Sequence, residues 1–415
     1  MVPEDVQATI NRYLSPSAPV QREEMLQGRA SQLSAIERAL ATPGRNVFIY
    51  GVRGVGKTSL AQTAAYQFAP TDAPPLLLSC DVATTFGRFI RELVAKAIGH
   101  HPLERRTTIA KQAGGKLYIL EGAKKHEVEM GNVPIPESVN EAIALLEFAI
   151  EVVGKTVVAV VDEFDRIRDP DQRAMFGDVV KQIGDQNVNL KLLFCGVGRS
   201  LDDLLAGHES CFRYIEGVEL ERLGISPSVE IIGAAATALK VQIDDGYRYR
   251  IAQVSDGFPH YVHLIGQRMF WNYFDDPDND GEIRSMHFET AIQQATASVE
   301  PHLSKLYTLA TEKYAASNDD YELVLWAAAS HPDLRRKATD IFDSYCVICN
   351  DLKRTSLDRA TFNNRLNPLK DKAHGEVLVG TRQGWYEFNE PMLRGLCRLR
   401  AMSKYNLDLG REYYK

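Results

Sequence analysis

Eight consecutive residues concentrate the chemistry of this chain: Gly51-Val52-Arg53-Gly54-Val55-Gly56-Lys57-Thr58. They fit the spacing G-x-x-x-x-G-K-[ST] at every fixed position. Glycines let successive backbone N–H groups curl around an anion. Lys57 adds a full positive charge for the outer phosphates, and Thr58 offers a hydroxyl to Mg²⁺. The implied ligand is ATP, with Gly51, Gly54, Val55, Gly56, Lys57, Thr58 and Ser59 around its phosphates. A second pair of candidates, Asp162-Glu163, ends the apolar run Val157-Val158-Ala159-Val160-Val161. An acid at the tip of a buried strand, in a sheet that carries a phosphate loop, can hold Mg²⁺ through water. The next acid can polarise the attacking water. The competing reading is two surface acids in a turn. It is the weaker one, because such a sheet already calls for a magnesium acid.

These residues need a frame. Val47–Tyr50 reads as a short buried strand before the loop, and Lys57 opens a helix to about Phe68, whose positive N-terminus faces the same anion. Leu76–Cys80 is a second strand, Phe86–Ile98 a helix, Glu137–Val153 another. Val157–Val161 is apolar on both faces and therefore covered on both. Asp171–Ile183 is a helix, Leu190–Cys195 a fourth strand and Tyr214–Leu220 a fifth. Alternating strands and helices predict an α/β fold with a mostly parallel sheet. Gly99–Pro136 interrupts the pattern and reads as an insertion with β-like pieces at Lys116–Leu120 and His126–Met130. After Ser226 the strand signal stops. The expected division is a nucleotide-binding domain over 1–226, with the insertion at about 99–136, then a helical lid over 227–317. A third domain over 318–415 has helices, a candidate recognition helix Thr361–Lys372, and strands Glu376–Val379 and Trp385–Phe388. Helices followed by a hairpin give the pattern of a winged helix.

The bulk numbers fit this plan. The 415 residues are 45% hydrophobic and 25% charged, enough for two or three packed domains. No apolar run reaches the ~18 residues of a membrane span, and the acidic start lacks a signal core. Six cysteines without framework spacing fit a reducing compartment, so the expected location is cytoplasmic. Net charge is -7, yet residues 331–415 hold 16 Lys and Arg against 11 Asp and Glu, a local balance of +5. That pattern argues against a protein coating DNA over its whole surface and leaves room for a local contact at the C-terminal end.

Gln27-Gly28-Arg29, the glycine loop, the Val157–Glu163 strand, the strand ending Phe194-Cys195-Gly196 and the turn Gly257-Phe258-Pro259-His260 together resemble the AAA+ superfamily of P-loop ATPases. The nearest branch is the origin-recognition-like and STAND-like ATPases of prokaryotes. The resemblance implies that Asp162 and Glu163 are a Walker B pair and that Gly28 and Arg29 lie beside adenine and ribose. It implies that Pro259 and His260 pack near the nucleotide, and that Arg213 is an arginine finger reaching a neighbouring subunit's γ-phosphate. Arg213 capping a helix end is an equal alternative. The fourth strand ends in Cys195-Gly196 where many relatives place a polar sensor, with Arg199 and Ser200 a few residues on. The lid has no second-sensor arginine at the expected place. Both departures suit a slow nucleotide switch. The implied function is a homo-oligomer assembled with ATP and Mg²⁺ that controls a separate effector protein, as such ATPases do in antiviral defence. The alternative is a DNA-binding loader or target selector; a metabolic kinase fits less well, given the separate helical lid, the winged helix and the want of a small-substrate signature.

Weaker signals stand apart. Cys346-Val347-Ile348-Cys349 lacks a second ligand pair for zinc and reads as a packed helix face. Arg359, Asn363, Asn364 and Arg365 fall on or beside the candidate recognition helix, which Pro368 should break, and Arg382 sits in the wing turn. Arg394, Arg398 and Arg400 read as the solvated side of a final helix.

Overall fold

The computed structural model describes residues 2–20, 22–99, 109–113, 116–120, 133–198, 209–312, 318–381 and 384–411. They form two compact units. The first is Pro19–Val52 with Lys57–Glu221. The second is Met1–Ala18, Arg53–Gly56 and Arg222–Lys415, to which helix α1 (Glu4–Tyr13) belongs.

In the first unit α2 (Ala30–Ala41) precedes β1 (Asn46–Gly51), and α3 (Lys57–Phe68) follows the glycine loop. Then come β2 (Leu76–Ser79), α4 (Phe86–Gly99), a hairpin of β3 (Ile109–Ala113) and β4 (Lys116–Leu120), and α5 (Val139–Val153). The unit closes with β5 (Val157–Asp162), α6 (Pro170–Asp185), β6 (Leu190–Val197) and β7 (Ile215–Glu219). The sheet order is β2-β5-β6-β1-β7, with every pair parallel. All five strands expected from the sequence are therefore present in an α/β fold. The helix ends follow local chemistry. The Ser138 hydroxyl accepts from the Glu141 N–H at the start of α5, and left-handed Gly154 ends it. Asp169 caps α6, with Pro170 in its first turn. Within the insertion, Lys116–Leu120 pairs antiparallel with Ile109–Ala113; His126–Met130 lies outside the described residues.

The core under the sheet is aromatic. Phe48 and Phe194 face each other in register on β1 and β6, 5.5 Å apart, and Phe164 stands edge-on to both and to Phe176. Each such pair stabilises by about 0.5–1.5 kcal/mol beyond area burial. Phe164 directly follows Glu163, so this cluster anchors the chain where the two acids emerge.

The second unit contains α7 (Ile225–Leu239), α8 (Asp245–Val254), α9 (Pro259–Asp275), α10 (Ser285–Ala297) and α11 (Pro301–Thr311). It continues through α12 (Asn318–Ser330), β8 (Arg335–Lys337), α13 (Ala338–Asp351), α14 (Arg359–Leu366), β9 (Leu378–Thr381), β10 (Trp385–Phe388) and α15 (Leu393–Tyr405). The three strands form an antiparallel sheet in the order β8-β10-β9. Among the described residues no helix is long and apolar enough to cross a membrane.

Three expectations are corrected here. The helix expected over Thr361–Lys372 runs Arg359–Leu366. Asp358 caps it earlier, accepting from the Ala360 and Thr361 N–H groups, and Pro368 diverts the chain into a 3-10 turn, Asn367–Lys370. The strand expected at Glu376–Val379 starts at Leu378, because Gly375 and Glu376 are both left-handed. Most consequentially, Arg394 and Arg398 are not solvated: both are fully buried, and Arg400 is half-buried. Helix α1 had no clear signal in the sequence. Cys346 and Cys349 lie on α13, half-buried and buried respectively, and Arg382 lies outside the described residues.

Candidate nucleotide site

The glycine loop is shared between the units: Gly51, Val52, Lys57 and Thr58 belong to the first, Arg53–Gly56 to the second. In the first unit, β6 lies between β1 and β5. The acid at the tip of β5 can therefore reach the loop only across the end of β6, where the residues are the small Cys195 and Gly196. It does so. The Thr58 hydroxyl donates to Asp162 Oδ2 at 2.7 Å. The Lys57 ammonium, almost buried, donates to the carbonyls of Gly51 and Val52 at 3.2 and 2.9 Å. Cys195 Sγ approaches the Lys57 carbonyl at 3.7 Å, and burial pushes its thiol well above the usual range, so this position is a neutral spacer.

Glu163 adopts a left-handed backbone, φ 54°. For a residue with a side chain this costs energy and marks sites where direction matters. Its carboxylate turns toward Arg166 Nε at 3.2 Å and accepts from the Ser79 hydroxyl at 3.4 Å, staying half exposed. Asp165, to which the sequence assigned no role, accepts from the Val197 N–H at 2.8 Å and ties this turn to the end of β6. Arg29 is buried, donates to the Glu221 carbonyl at 2.7 Å and is lowered to about 10, chiefly by burial. Gly28 before it is left-handed. The Ser59 hydroxyl accepts from the Val20 N–H at 3.1 Å. Arg213 is largely exposed on the 3-10 turn Glu209–Tyr214, 3.4 Å from Asp185 and over the Tyr214 ring. Arg199 and Ser200 lie outside the described residues.

In the second unit, the loop tip packs against the starts of two helices. Gly54 and Gly56 have φ of 84° and 96°, conformations that exclude most side chains. A Cβ at Gly54 would fall 2.6 Å from Met392 Sδ, and one at Gly56 would lie 3.9 Å from Pro259 Cγ. Arg53 pairs with Glu300 and Glu390 at 3.6 and 3.7 Å. Thus Pro259, the first residue of α9, stands against the loop. His260 beside it meets the Pro16 carbonyl through Nδ1 at 3.0 Å; facing a carbonyl, that nitrogen must be the protonated one.

These features fit ATP with Mg²⁺. The hydroxyl and carboxylate oxygens of Thr58 and Asp162 are the hard donors magnesium takes, and the nearly buried Lys57 ammonium sits inside an anion-shaped loop. Residues 25–190 match the model of the AAA ATPase domain family. Among solved structures, the chain is similar to a Walker-type ATPase of Pyrococcus abyssi, at 16% identity and a TM-score of 0.52, covering 92% of this chain and 99% of that one. It is also similar to the ORC2 protein of Aeropyrum pernix, determined in ADPNP-ADP complexes, at 12% identity and a TM-score of 0.50, covering 94% and 98%. At these identities the likeness is one of fold, and it spans nearly all of each chain. No curated protein matches the sequence. The AAA ATPase match takes in the glycine loop, Asp162, Glu163 and the Gly28-Arg29 pair, whereas Arg213, Pro259 and His260 lie beyond it.

The sequence missed Ser79, Asp165, Met392 and the pair Glu300 and Glu390. Only the position of Ser79, at the end of a predicted strand next to that of Asp162, offered a clue.

Proposed function

We propose that this protein is an ATP-dependent switch: it binds ATP with Mg²⁺, hydrolyses it slowly and assembles into a homo-oligomer that controls a separate partner protein. Lys57 with the loop N–H groups would hold the phosphates. Thr58 and Asp162 would hold Mg²⁺, which when bound supplies charge neutralisation at the phosphate oxygens. Glu163 accepts a proton from the attacking water, its direction fixed by the left-handed backbone and by Ser79 and Arg166. Gly28 and Arg29 would border the base and ribose, Pro259 and His260 are the second unit's candidates for nucleotide contact, and Arg213 would reach the site of a neighbouring subunit. A nucleotide-binding domain over 1–226, a helical lid over 227–317 and a winged-helix-like domain over 318–415 would frame such a switch. A partner in antiviral defence is the biological setting this reading favours, in a cytoplasmic protein. The observation carrying the reading is the Thr58–Asp162 hydrogen bond, which joins the loop to the acid strand.

Calorimetry and light scattering test it. Lys57→Ala should lower ATP affinity at least about a hundredfold. Glu163→Gln should keep binding, lose turnover and accumulate larger assemblies with ATP, and Arg213→Ala should slow turnover without weakening binding. Unchanged affinity in Lys57→Ala, or wild-type turnover in Glu163→Gln, would sink the corresponding assignment.

One observation favours a second reading, DNA contact by the C-terminal part as in a loader or target selector. The order α12-β8-α13-α14-β9-β10 supports the winged-helix reading. Trp385 on β10 lies under both Arg335 and Lys337 of β8, each 5.2 Å from the ring, a combination suited to phosphate and base. The candidate helix is less available: Arg365 pairs with Asp320, and Arg359 lies over Phe342. Duplex DNA binding that falls steeply with salt and weakens in Trp385→Ala would support this reading; no binding at physiological salt would end it.

A further inference from the structure

The turn before Pro259 rests on a buried charge cluster that the proposed switch does not use. Asp256 is completely buried in the second unit, and three arginines converge on it. Arg394 Nε lies 2.6 Å from Oδ2, Arg398 Nη2 3.0 Å from Oδ1 and Arg222 Nη1 2.7 Å from Oδ1. Burial alone would raise the Asp256 carboxyl; Arg394, Arg398 and Arg222 outweigh it and hold it below the usual carboxylate range. One carboxylate leaves two positive charges over. Backbone carbonyls take them up, several at the C-terminus of α12, where the helix dipole is negative. Arg398 donates to the carbonyls of Ala329 and Ser330 at 3.0 and 3.1 Å and to that of Gln253 at 2.9 Å, and Arg394 donates to that of Asp333 at 3.1 Å.

The cluster fixes a tight piece of backbone. Asp256 and Gly257 are consecutive left-handed residues, φ 49° and 75°. The Gly257 carbonyl accepts from the Leu223 N–H at 2.8 Å, and a Cβ on Gly257 would fall 2.5 Å from the Leu223 carbonyl. Phe258 is buried beneath Arg222. Three residues after Asp256 comes Pro259, which stands against Gly56 of the phosphate loop. From the other side, α15 supplies Arg394 and Arg398 and also packs on α9: the Tyr261 hydroxyl donates to the Met392 carbonyl at 2.9 Å, and a Cβ on Gly395 would overlap the Tyr261 ring.

We propose that Asp256 is a positioning residue for nucleotide binding: held by Arg222, Arg394 and Arg398, it sets the Gly257-Phe258-Pro259 turn, and so the start of α9, against the phosphate loop. This makes nucleotide affinity depend on α15 and on the end of α12, far along the chain from the glycine motif. It rests on the reading that Pro259 and His260 border the bound nucleotide.

The experiment is a double-mutant cycle on ATP affinity, measured by calorimetry on the full chain. Asp256→Asn is the informative change, because asparagine tolerates the left-handed backbone while losing the charge. It should weaken ATP about tenfold in the wild-type background and have little further effect in Pro259→Ala, since both changes release the same turn. Additive losses, or unchanged affinity in Asp256→Asn, would overturn the proposal. A purely structural cluster would lower the unfolding midpoint and leave the affinity of the folded protein unmoved. Should Asp256→Asn fail to fold, Arg394→Lys, which keeps the charge but loses the forked contact, gives the same cycle. Lys57→Ala separates the two levels of the reading. If it leaves ATP affinity unchanged, the nucleotide site itself is misplaced; if it abolishes binding while the cycle is additive, only the role of Asp256 fails.

Discussion

Two acidic sites in this molecule use the same side-chain chemistry in opposite ways. Asp162 and Glu163 emerge at a strand tip, with the hydroxyls of Thr58 and Ser79 and one partly exposed arginine, Arg166, as their close side-chain company. Asp256 is sealed from solvent among three arginines. The first arrangement leaves carboxylate oxygens available for a metal or a water, and its geometry is kept by backbone strain and an aromatic core behind it. The second leaves none available. Its charge is spent on holding backbone in place, and its worth is positional. The contrast teaches that burial separates a group that does chemistry from one that places it.

The sharpest way to break this contrast is to remove one charge from each site. Arg394→Ala leaves Asp256 short of its closest partner in a desolvated setting, and such changes cost about 3–5 kcal/mol. The urea midpoint should fall accordingly, while Glu163→Gln, at a half-exposed site, should hardly move it. Equal midpoints for the two variants would mean that the buried cluster does not hold the fold.

A somewhat smaller effect comes from His263, on the same α9 that the cluster seats. Burial, with His260 nearby, lowers its pKa from 6.5 to about 4 despite the Tyr13 backbone contact. The folded state thus resists a proton that the unfolded chain accepts. The stabilisation is complete above pH 6.5 and is lost as pH falls from there toward 4, by about 3 kcal/mol. Asp256 acts in a different window, since its depressed carboxyl withdraws stability only as pH falls through and below the usual carboxylate value of 3.8. Urea titrations at pH 7 and 4.5 should show the His263 slope, and His263→Gln should flatten it. A slope unchanged in that variant would assign the pH response to another group.

How much of this could be read in advance differs between the two regions for a physical reason. The glycine loop, its strand and its helix lie within one short segment, where glycine conformation, lysine charge and helix polarity act locally. Four of the five strands announced themselves by apolar runs, because a parallel sheet covered on both faces demands them; β7, at the sheet edge, mixes buried Ile215 and Val218 with two glutamates. Arg394 and Arg398 looked like the wet side of a helix, since nothing near them in sequence shows a buried acid 138 residues away from Arg394. Likewise Pro368 signalled a helix break, but only the cap at Asp358 decided where that helix began.

The sequence by itself determined a phosphate loop, an acid pair and an alternating α/β frame, because each depends on residues that are neighbours along the chain. The tertiary structure alone decided that β6 stands between loop and acid, with Cys195 and Gly196 at its end. It also decided that Met392 and Pro259 meet the loop tip and that three arginines close on Asp256. Those are long-range choices, set by which surfaces bury one another.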